Sequence, residues 1–377
     1  MDTGFQKTIV FLFFIFIGIL LKAKFKNKEE ITGIKKIILN LALPATIFIA
    51  LLGIKVELHL LILPVLAIGL NLLLFLAVPL ILPLMGVGKG TPEFRTAKLL
   101  IPSLAPGLSS FPFILEFLGE DYLAKAAMSD LGNKVFVLFF LYLVAMNWHY
   151  GLQFDQPKNG GTKLKPLMKA MVSEPVNIFI AVALVLLGFG FTMHSLPFFL
   201  SETLEKLSMI MTPLVLLFIG LAVKIKRKQF FQIFSLLCTR AGLVLLISGI
   251  FVSVAGIEAQ NEILLILAFG LSACSFWPYA HIAAVDGMEM DLKDKKKTFS
   301  SDYGVAILAL SFPLSTMLIL GILNSGSFFV HTYNIFLISV LFLGVGFAIP
   351  LFGGLNKKWS GLKSLGFKIK SPATENA

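Results

Sequence analysis

Apolar runs of bilayer-spanning length alternate with short polar stretches along the whole chain. The first runs from Phe5 to Leu21, and Lys22, Lys24, Lys26, Lys28, Lys35 and Lys36 follow it. Helix 2 is expected from Ile37 to Ile54, helix 3 within Leu58 to Met85, helix 4 over Leu99 to Leu118, and helix 5 from Ser129 to Trp148. A polar segment, Gly151 to Lys169, carries four lysines. Helices 6, 7 and 8 are expected over Val176 to Met193, Ser208 to Val223 and within Phe230 to Val254. Helix 9 covers Ile263 to Val285, helix 10 Ser301 to Leu323, and helix 11 Thr332 to Phe352. Lysine-rich stretches mark the cytoplasmic side of a membrane protein. They place the N-terminus outside, the loop around Glu116, Glu120 and Asp121 outside, and the linker and C-terminus inside. Asp2 precedes the first apolar run and no small-residue cleavage site follows it, so a cleavable signal peptide is not expected.

Two of the runs are interrupted. Helix 4 contains Pro102, Pro106, Gly107 and Pro112 among Ser103, Ser109 and Ser110. Helix 9 contains Gly270, Ser272, Ser275 and Pro278. Proline removes a backbone donor and clashes with the preceding turn. Lipid cannot satisfy the groups so freed, so a broken helix belongs inside a bundle or against a cavity. Regular helix is expected to fail near Pro106–Pro112 and Ser275–Pro278, with the two breaks close together near mid-membrane and Ser110 and Ser275 on a shared cavity.

The interruptions belong to a repeat. Pro44 and Pro213 are 169 residues apart, Pro112 and Pro278 are 166 apart, and Ser129-Asp130-x-Gly132 precedes Ser301-Asp302-x-Gly304 by 172. Five helices per unit is an odd number, so the second copy enters the membrane inverted, an architecture of secondary transporters. The expected fold is an all-α polytopic membrane protein with a five-plus-five inverted repeat, broken helices 4 and 9 crossing, and one extra C-terminal transmembrane helix. Residues 1–150 form the first repeat, 151–173 a cytoplasmic linker, 174–325 the second repeat, and 326–377 the additional helix with a basic tail.

Composition agrees. Of 377 residues 57% are hydrophobic and 14% charged, which excludes a soluble domain. The net charge of +11 sits in loops beside apolar runs, which argues against a nucleic-acid partner and for contact with lipid. Cys238 and Cys274 lie within apolar runs, which excludes a disulfide framework.

Candidate chemistry concentrates at the breaks. An anion there would meet freed amides and half-helix N-termini, in the neighbourhood of Pro106, Gly107, Ser109, Ser110, Pro112, Ser272, Ser275, Trp277 and Pro278. Alternatively, the serines bond their own helix carbonyls and the aromatics face lipid. Asp130 and Asp302, with Asn133, are candidates for coupling to H+ or Na+, because an intramembrane carboxylate is costly; the alternative is an acid at a helix mouth in water. Arg240 lies deep in helix 8, and its repeat mate is Asn71. Arg240 either holds a substrate carboxylate, pairs with Asp130, or lies near the headgroups. His281 and Lys134 are expected to snorkel or satisfy local partners. No cofactor or metal site is expected.

These features resemble a known family. Leu41-Ala-Leu-Pro-Ala-Thr-Ile-Phe48, the interrupted helix 4, Phe218-Ile-Gly-Leu-Ala222 and the interrupted helix 9 are similar to the bacterial branch of the auxin efflux carriers, over about Phe5 to Leu323. The resemblance implies a scaffold of helices 1, 2, 6 and 7, a mobile domain of helices 3–5 and 8–10, and a homodimer through helices 2 and 7. It implies efflux of a small organic anion such as malate or malonate across the cytoplasmic membrane. The crossing helices carry serines where the plant members have asparagines, and the eleventh helix is extra. A sodium-coupled uptake carrier of related fold and a non-transporting receptor or scaffold are the alternative readings. A membrane enzyme finds no support, since neither H-E-x-x-H nor G-x-S-x-G occurs.

Overall fold

The computed structural model describes residues 3–25, 27–53, 58–153, 175–222, 230–289 and 297–365, and every regular element among them is helical. The linker from residue 154, the basic stretch Lys224 to Lys228, most of the loop before helix 10 and the last residues of the tail lie outside the described residues. Among the described residues six helices are long and apolar enough to cross a membrane: Glu29–Gly53, Ile62–Met85, Glu120–Leu152, Phe198–Leu221, Phe230–Ala255 and Ser301–Leu323. Four shorter apolar helices, Ile9–Leu21, Asn177–Gly188, Gln260–Gly270 and Thr332–Ala348, accompany them. Their outer faces are rich in exposed apolar residues such as Val65, Leu76, Leu80, Val254 and Val340, as expected of surfaces that meet lipid rather than water.

Helix 2 accommodates Pro44 without breaking. Lys28–Ile37 runs into a wide π turn, Ile38–Ala42, and then into Leu43–Gly53. The widened turn makes room for the proline ring, whose nitrogen cannot donate to the ladder. Helix 7 begins earlier than the apolar pattern suggests, since Phe198–Met209 leads almost directly into Met211–Ala222. Helix 4 is divided. Its first piece, 4a, is Pro92–Leu100, and its second, 4b, is built from Pro106–Ser109 and Phe111–Leu118. Helix 9 is divided into 9a, Gln260–Gly270, and 9b, Phe276–Glu289.

Small residues set the helix contacts, as they do wherever apolar solvent removes the drive to bury apolar side chains. Helix 1 meets helix 7 glycine to glycine: a Cβ on Gly18 would stand 3.0 Å from Gly220 Cα. Helix 5 meets helix 3 where a Cβ on Gly132 would fall 2.7 Å from Pro64 Cα. Helix 11, Thr332–Leu365, lies along helix 8, Phe230–Ala255. Ser339 Oγ of helix 11 donates to the Gly242 carbonyl at 2.8 Å, and Ser235 Oγ of helix 8 donates to the Gly346 carbonyl at 2.5 Å. Each helix thus gives one hydroxyl and one glycine carbonyl, and the exposed glycine backbone is what allows the approach. The eleventh helix is therefore an integral part of the bundle.

Buried apolar residues form two cores. One gathers Leu104, Leu108 and Leu271 with helices 1, 2, 6 and 7 and with halves of helices 5, 8 and 10. The other gathers Leu99, Ile101 and Cys274 with the opposite halves of helices 3, 5, 8 and 10. The interruptions in helices 4 and 9 fall at the boundary between these cores, so the chain's buried polar backbone forms a layer between two apolar ones. At the far end of the second core His149 Nδ1 lies 2.9 Å from Glu289 Oε1, and Thr298 N donates to the other carboxylate oxygen at 3.0 Å, tying the ends of helices 5 and 9 to the approach to helix 10.

Candidate functional site

Helix is absent from Ile101 to Ala105 and from Leu271 to Ser275. The two interruptions stand 170 residues apart, since 4a and 9a stop at Leu100 and Gly270 while 4b and 9b start at Pro106 and Phe276. The longer break in helix 4 thus lies one turn ahead of Pro106–Pro112 and contains Pro102, and helix lapses a second time at Ser110, within that stretch. Pro106 and Pro112 open helical pieces instead of ending them. A first-turn proline gives up only an N–H that would have had no helical partner. Pro278 likewise lies in the first turn of 9b.

The broken segments bond to each other. Ala105 N donates to the Ala273 carbonyl at 2.8 Å, Ser275 N donates to Ser103 Oγ at 2.9 Å, and Ala273 N donates to Ser109 Oγ at 3.0 Å. Ser110 Oγ and Ser272 Oγ lie 3.1 Å apart, and Ser272 donates to the Phe269 carbonyl at 2.6 Å. Ser109 and Ser110 also donate to the carbonyls of Ala105 and Pro106. Ser103, Ser109, Ser110 and Ser272 are fully buried. Their hydroxyls replace helical partners that the breaks remove, which is how nonhelical backbone persists in a membrane interior. Ser110 is accordingly part of the seam, and not of the cavity wall where the sequence had suggested it.

Two side chains complete the seam from other helices. Arg240 of helix 8 is 3% exposed; its Nε donates to the Ile101 carbonyl at 2.8 Å and its Nη2 donates to the carbonyls of Ser103 at 3.1 Å and Ser272 at 2.8 Å. The planar fork spans both breaks. Of the partners expected of Arg240, Asp130 is not among those it bonds, which are backbone carbonyls. Asn133 of helix 5 performs the matching task on the other flank. It donates from Nδ2 to the Leu104 carbonyl at 2.9 Å and accepts from Leu104 N at 3.2 Å, so its amide mimics a paired peptide. Nδ2 also donates to Asp130 Oδ1 at 2.8 Å, and Asn71 Nδ2 donates to Asn133 Oδ1 at 3.0 Å. Asn71 thus bonds to Asn133, which in turn bonds to Asp130 and Leu104.

A cavity of about 290 Å³ opens beside the seam. Ala105, Pro106 and Gly107 of the helix 4 break and Ser275, Phe276 and Trp277 of helix 9 form part of its wall. Gly107 is packed close, since a Cβ there would stand 2.9 Å from Leu43 Cδ2. Among the described residues its charged lining consists of Lys35, Asp130 and Lys134. Asp130 and Lys134 are both buried, one helical turn apart, with Nζ 3.6 Å from Oδ2. Lys134 Nζ also donates to Asn177 Oδ1 of helix 6 at 2.9 Å. Of the two expectations for Lys134, snorkelling or satisfying local partners, the structure shows the second: the carboxylate one turn before it and the amide on helix 6 hold it inside. Asp302, by contrast, is exposed at the first turn of helix 10 and outside this cluster. Lys35 was hidden among the lysines after helix 1, where a lysine-rich stretch reads as a topology signal. His281 satisfies a local partner, its Nε2 lying 2.9 Å from the Val137 carbonyl.

The seam makes a specific expectation. Replacing Asn133 by leucine keeps the volume but removes both bonds to Leu104, and each buried group left alone costs about 1–3 kcal/mol. Asn133→Leu is expected to lower the melting temperature in detergent by several degrees, and Asn133→Asp, which sets a second carboxylate against Asp130 and the Leu104 carbonyl, is not expected to restore it. Equal melting of Asn133→Leu and the parent protein would remove Asn133 from the seam's support.

No protein-family model matches the chain. It is 29% identical over 124 residues to an uncharacterized transporter of Methanocaldococcus jannaschii. The match covers 33% of this chain and 37% of that protein, so the chain spans little more than a third of the relative's length. The apolar helices and this similarity together suggest a transporter-like integral membrane protein.

Proposed function

We propose that the protein is a secondary transporter that carries a small organic anion through the cavity beside the seam. The reading includes the five-plus-five inverted repeat, with helices 4 and 9 crossing near mid-membrane and the basic loops in the cytoplasm. The observation that carries it is the pair of lysines, Lys35 and Lys134, on the wall of an otherwise largely apolar cavity at two joined helix breaks. The 170-residue offset between the breaks supports the repeat. An ammonium in a low-dielectric site attracts a carboxylate far more strongly than in water. Leu39, Leu43 and Trp277 supply apolar surface for the ligand's carbon skeleton. Asp130 is the proposed carrier of a coupling proton or sodium ion, and efflux of a dicarboxylate is the direction and class that the resemblance favours.

Counterflow of labelled malate and malonate in proteoliposomes tests the reading. Uptake into liposomes preloaded with the same anion is expected, with no chemical change in the anion. Ala280 also lines the cavity, on 9b. Ala280→Trp fills that space without touching the seam, so counterflow is expected to fall to background while the melting temperature stays close to that of the parent. Undiminished counterflow in that variant would move the transport path elsewhere.

A further inference from the structure

The two cations on the cavity wall have a second occupation. Lys134 of helix 5 donates to Asn177 Oδ1 of helix 6 at 2.9 Å. Lys35 of helix 2 stands over the Phe276 ring of 9b, with Nζ 4.2 Å from its centroid. Both contacts therefore join helices 2 and 6 on one side to helices 5 and 9 on the other, and both lie at the cavity. Each uses a neutral acceptor, an amide oxygen in one case and a ring face in the other. Among the described residues of the lining the charged ones are Lys35, Lys134 and Asp130, two bases against one acid.

We propose that a carboxylate entering the cavity is held by Lys134 and Lys35 together, and that it takes these ammonium groups from Asn177 and Phe276, so that anion binding releases helix 6 from helix 5 and helix 9 from helix 2 and bridges helices 2 and 5 instead. The proposal rests on the reading of the cavity as an anion site and adds what the anion does there. A carboxylate balances the excess charge, and a hydrogen bond between two ionised groups is about twice as strong as one to a neutral acceptor. Lysine suits the exchange, because its three donors turn on a flexible stem. Asp130, 3.6 Å from Lys134 Nζ and held by Asn133, keeps the ammonium at the cavity while its other bond changes. Binding shifts a conformational equilibrium only by its difference in affinity for the two states. Here that difference is built in, since the anion and the interhelical contacts compete for the same donors.

Competition makes opposite expectations for the two ends of one hydrogen bond. Lys134→Gln can still donate to Asn177 but has no charge for the anion. Asn177→Ala leaves the charge and removes its competitor, which raises the fraction of protein ready to bind. The test uses the purified full-length chain in detergent, with malonate, malate and benzoate as probes and chloride at equal ionic strength as control. Affinity is read by calorimetry, and amide hydrogen exchange is followed over Pro175–Gly188. For the parent protein, a bound probe is expected to speed exchange in that helix. Lys134→Gln is expected to weaken binding at least tenfold, and Asn177→Ala to tighten it about threefold or more. Weaker binding by Asn177→Ala, or unchanged binding by Lys134→Gln, would overturn the exchange while leaving the cavity an anion site. Absence of binding of all three probes to the parent would overturn the anion site as well. Should Lys134→Gln fail to fold, the direction of the Asn177→Ala effect decides by itself.

Discussion

Replacing Arg240 by alanine is expected to leave little folded protein. The guanidinium donates to the carbonyls of Ile101, Ser103 and Ser272, and all three residues are buried. A buried acceptor stripped of its donor costs about 1–3 kcal/mol, so three of them amount to roughly 3–9 kcal/mol. A domain's whole stability is only about 5–15 kcal/mol. Arg240→Lys is not expected to rescue, because a single ammonium cannot reproduce a planar fork that reaches both breaks. Arg240→Met separates two opposing effects. If the expense of burying a charge dominated, methionine would stabilise the protein; with three carbonyls left without donors it is expected to destabilise it. Yield of monodisperse protein after extraction and the melting temperature are the measurements. An Arg240→Met protein as stable as the parent would mean that the seam holds without its clamp.

Gly132→Ala is the second large effect. The added methyl would fall 2.7 Å from Pro64 Cα, against backbone that has no rotamer by which to move aside. Overpacking of this kind typically costs about 1–3 kcal/mol and sometimes more. Helix 5 must shift away from helix 3, and Asp130, Asn133 and Lys134 shift with it. Loss of the Asn133 bonds to Leu104 should follow, so anion binding and melting temperature are expected to fall together. Gly33→Ala supplies the control, since nothing stands within 4 Å of its added Cβ. There the smaller freedom of the unfolded chain is expected to leave stability unchanged or slightly higher. Comparable melting of the two variants would refute the close contact between helices 3 and 5.

Some of this architecture can be read from the chain and some cannot. The apolar runs and the fact of interruption in helices 4 and 9 are legible, because lipid permits few alternatives to helix. The position of the longer break in helix 4 is only partly so, since it contains Pro102 but precedes Pro106. Pro106 and Pro112 signal that a helix cannot continue through them, but the same chemistry suits the first turn of a new one, and only the path of the backbone separates the two. Asp130 and Asn133 stand out as polar residues among apolar ones. Arg240 stands out too, yet its task is hidden, since its acceptors at Ile101 and Ser103 lie 139 and 137 residues earlier in the chain. Lys35 and Asn177 carry no local signal: one is among many lysines, and the other is a single amide at the start of an apolar helix.

The seam also has an order of assembly. Helix 4 leaves the ribosome long before the residues that complete its broken backbone. The Arg240 donor for Ile101 follows 139 residues later, and the backbone partner at Ala273 and the helix from Thr332 that packs on helix 8 come later still. At about 5–20 residues per second, Ile101 waits roughly 7–28 s for its clamp. Throughout that interval the nascent first half lacks the donors and acceptors from the second half that pair its broken backbone in the folded protein. A chain halted between helices 5 and 8 should therefore be recognised as incomplete by the cell's quality control, however well its individual helices have inserted.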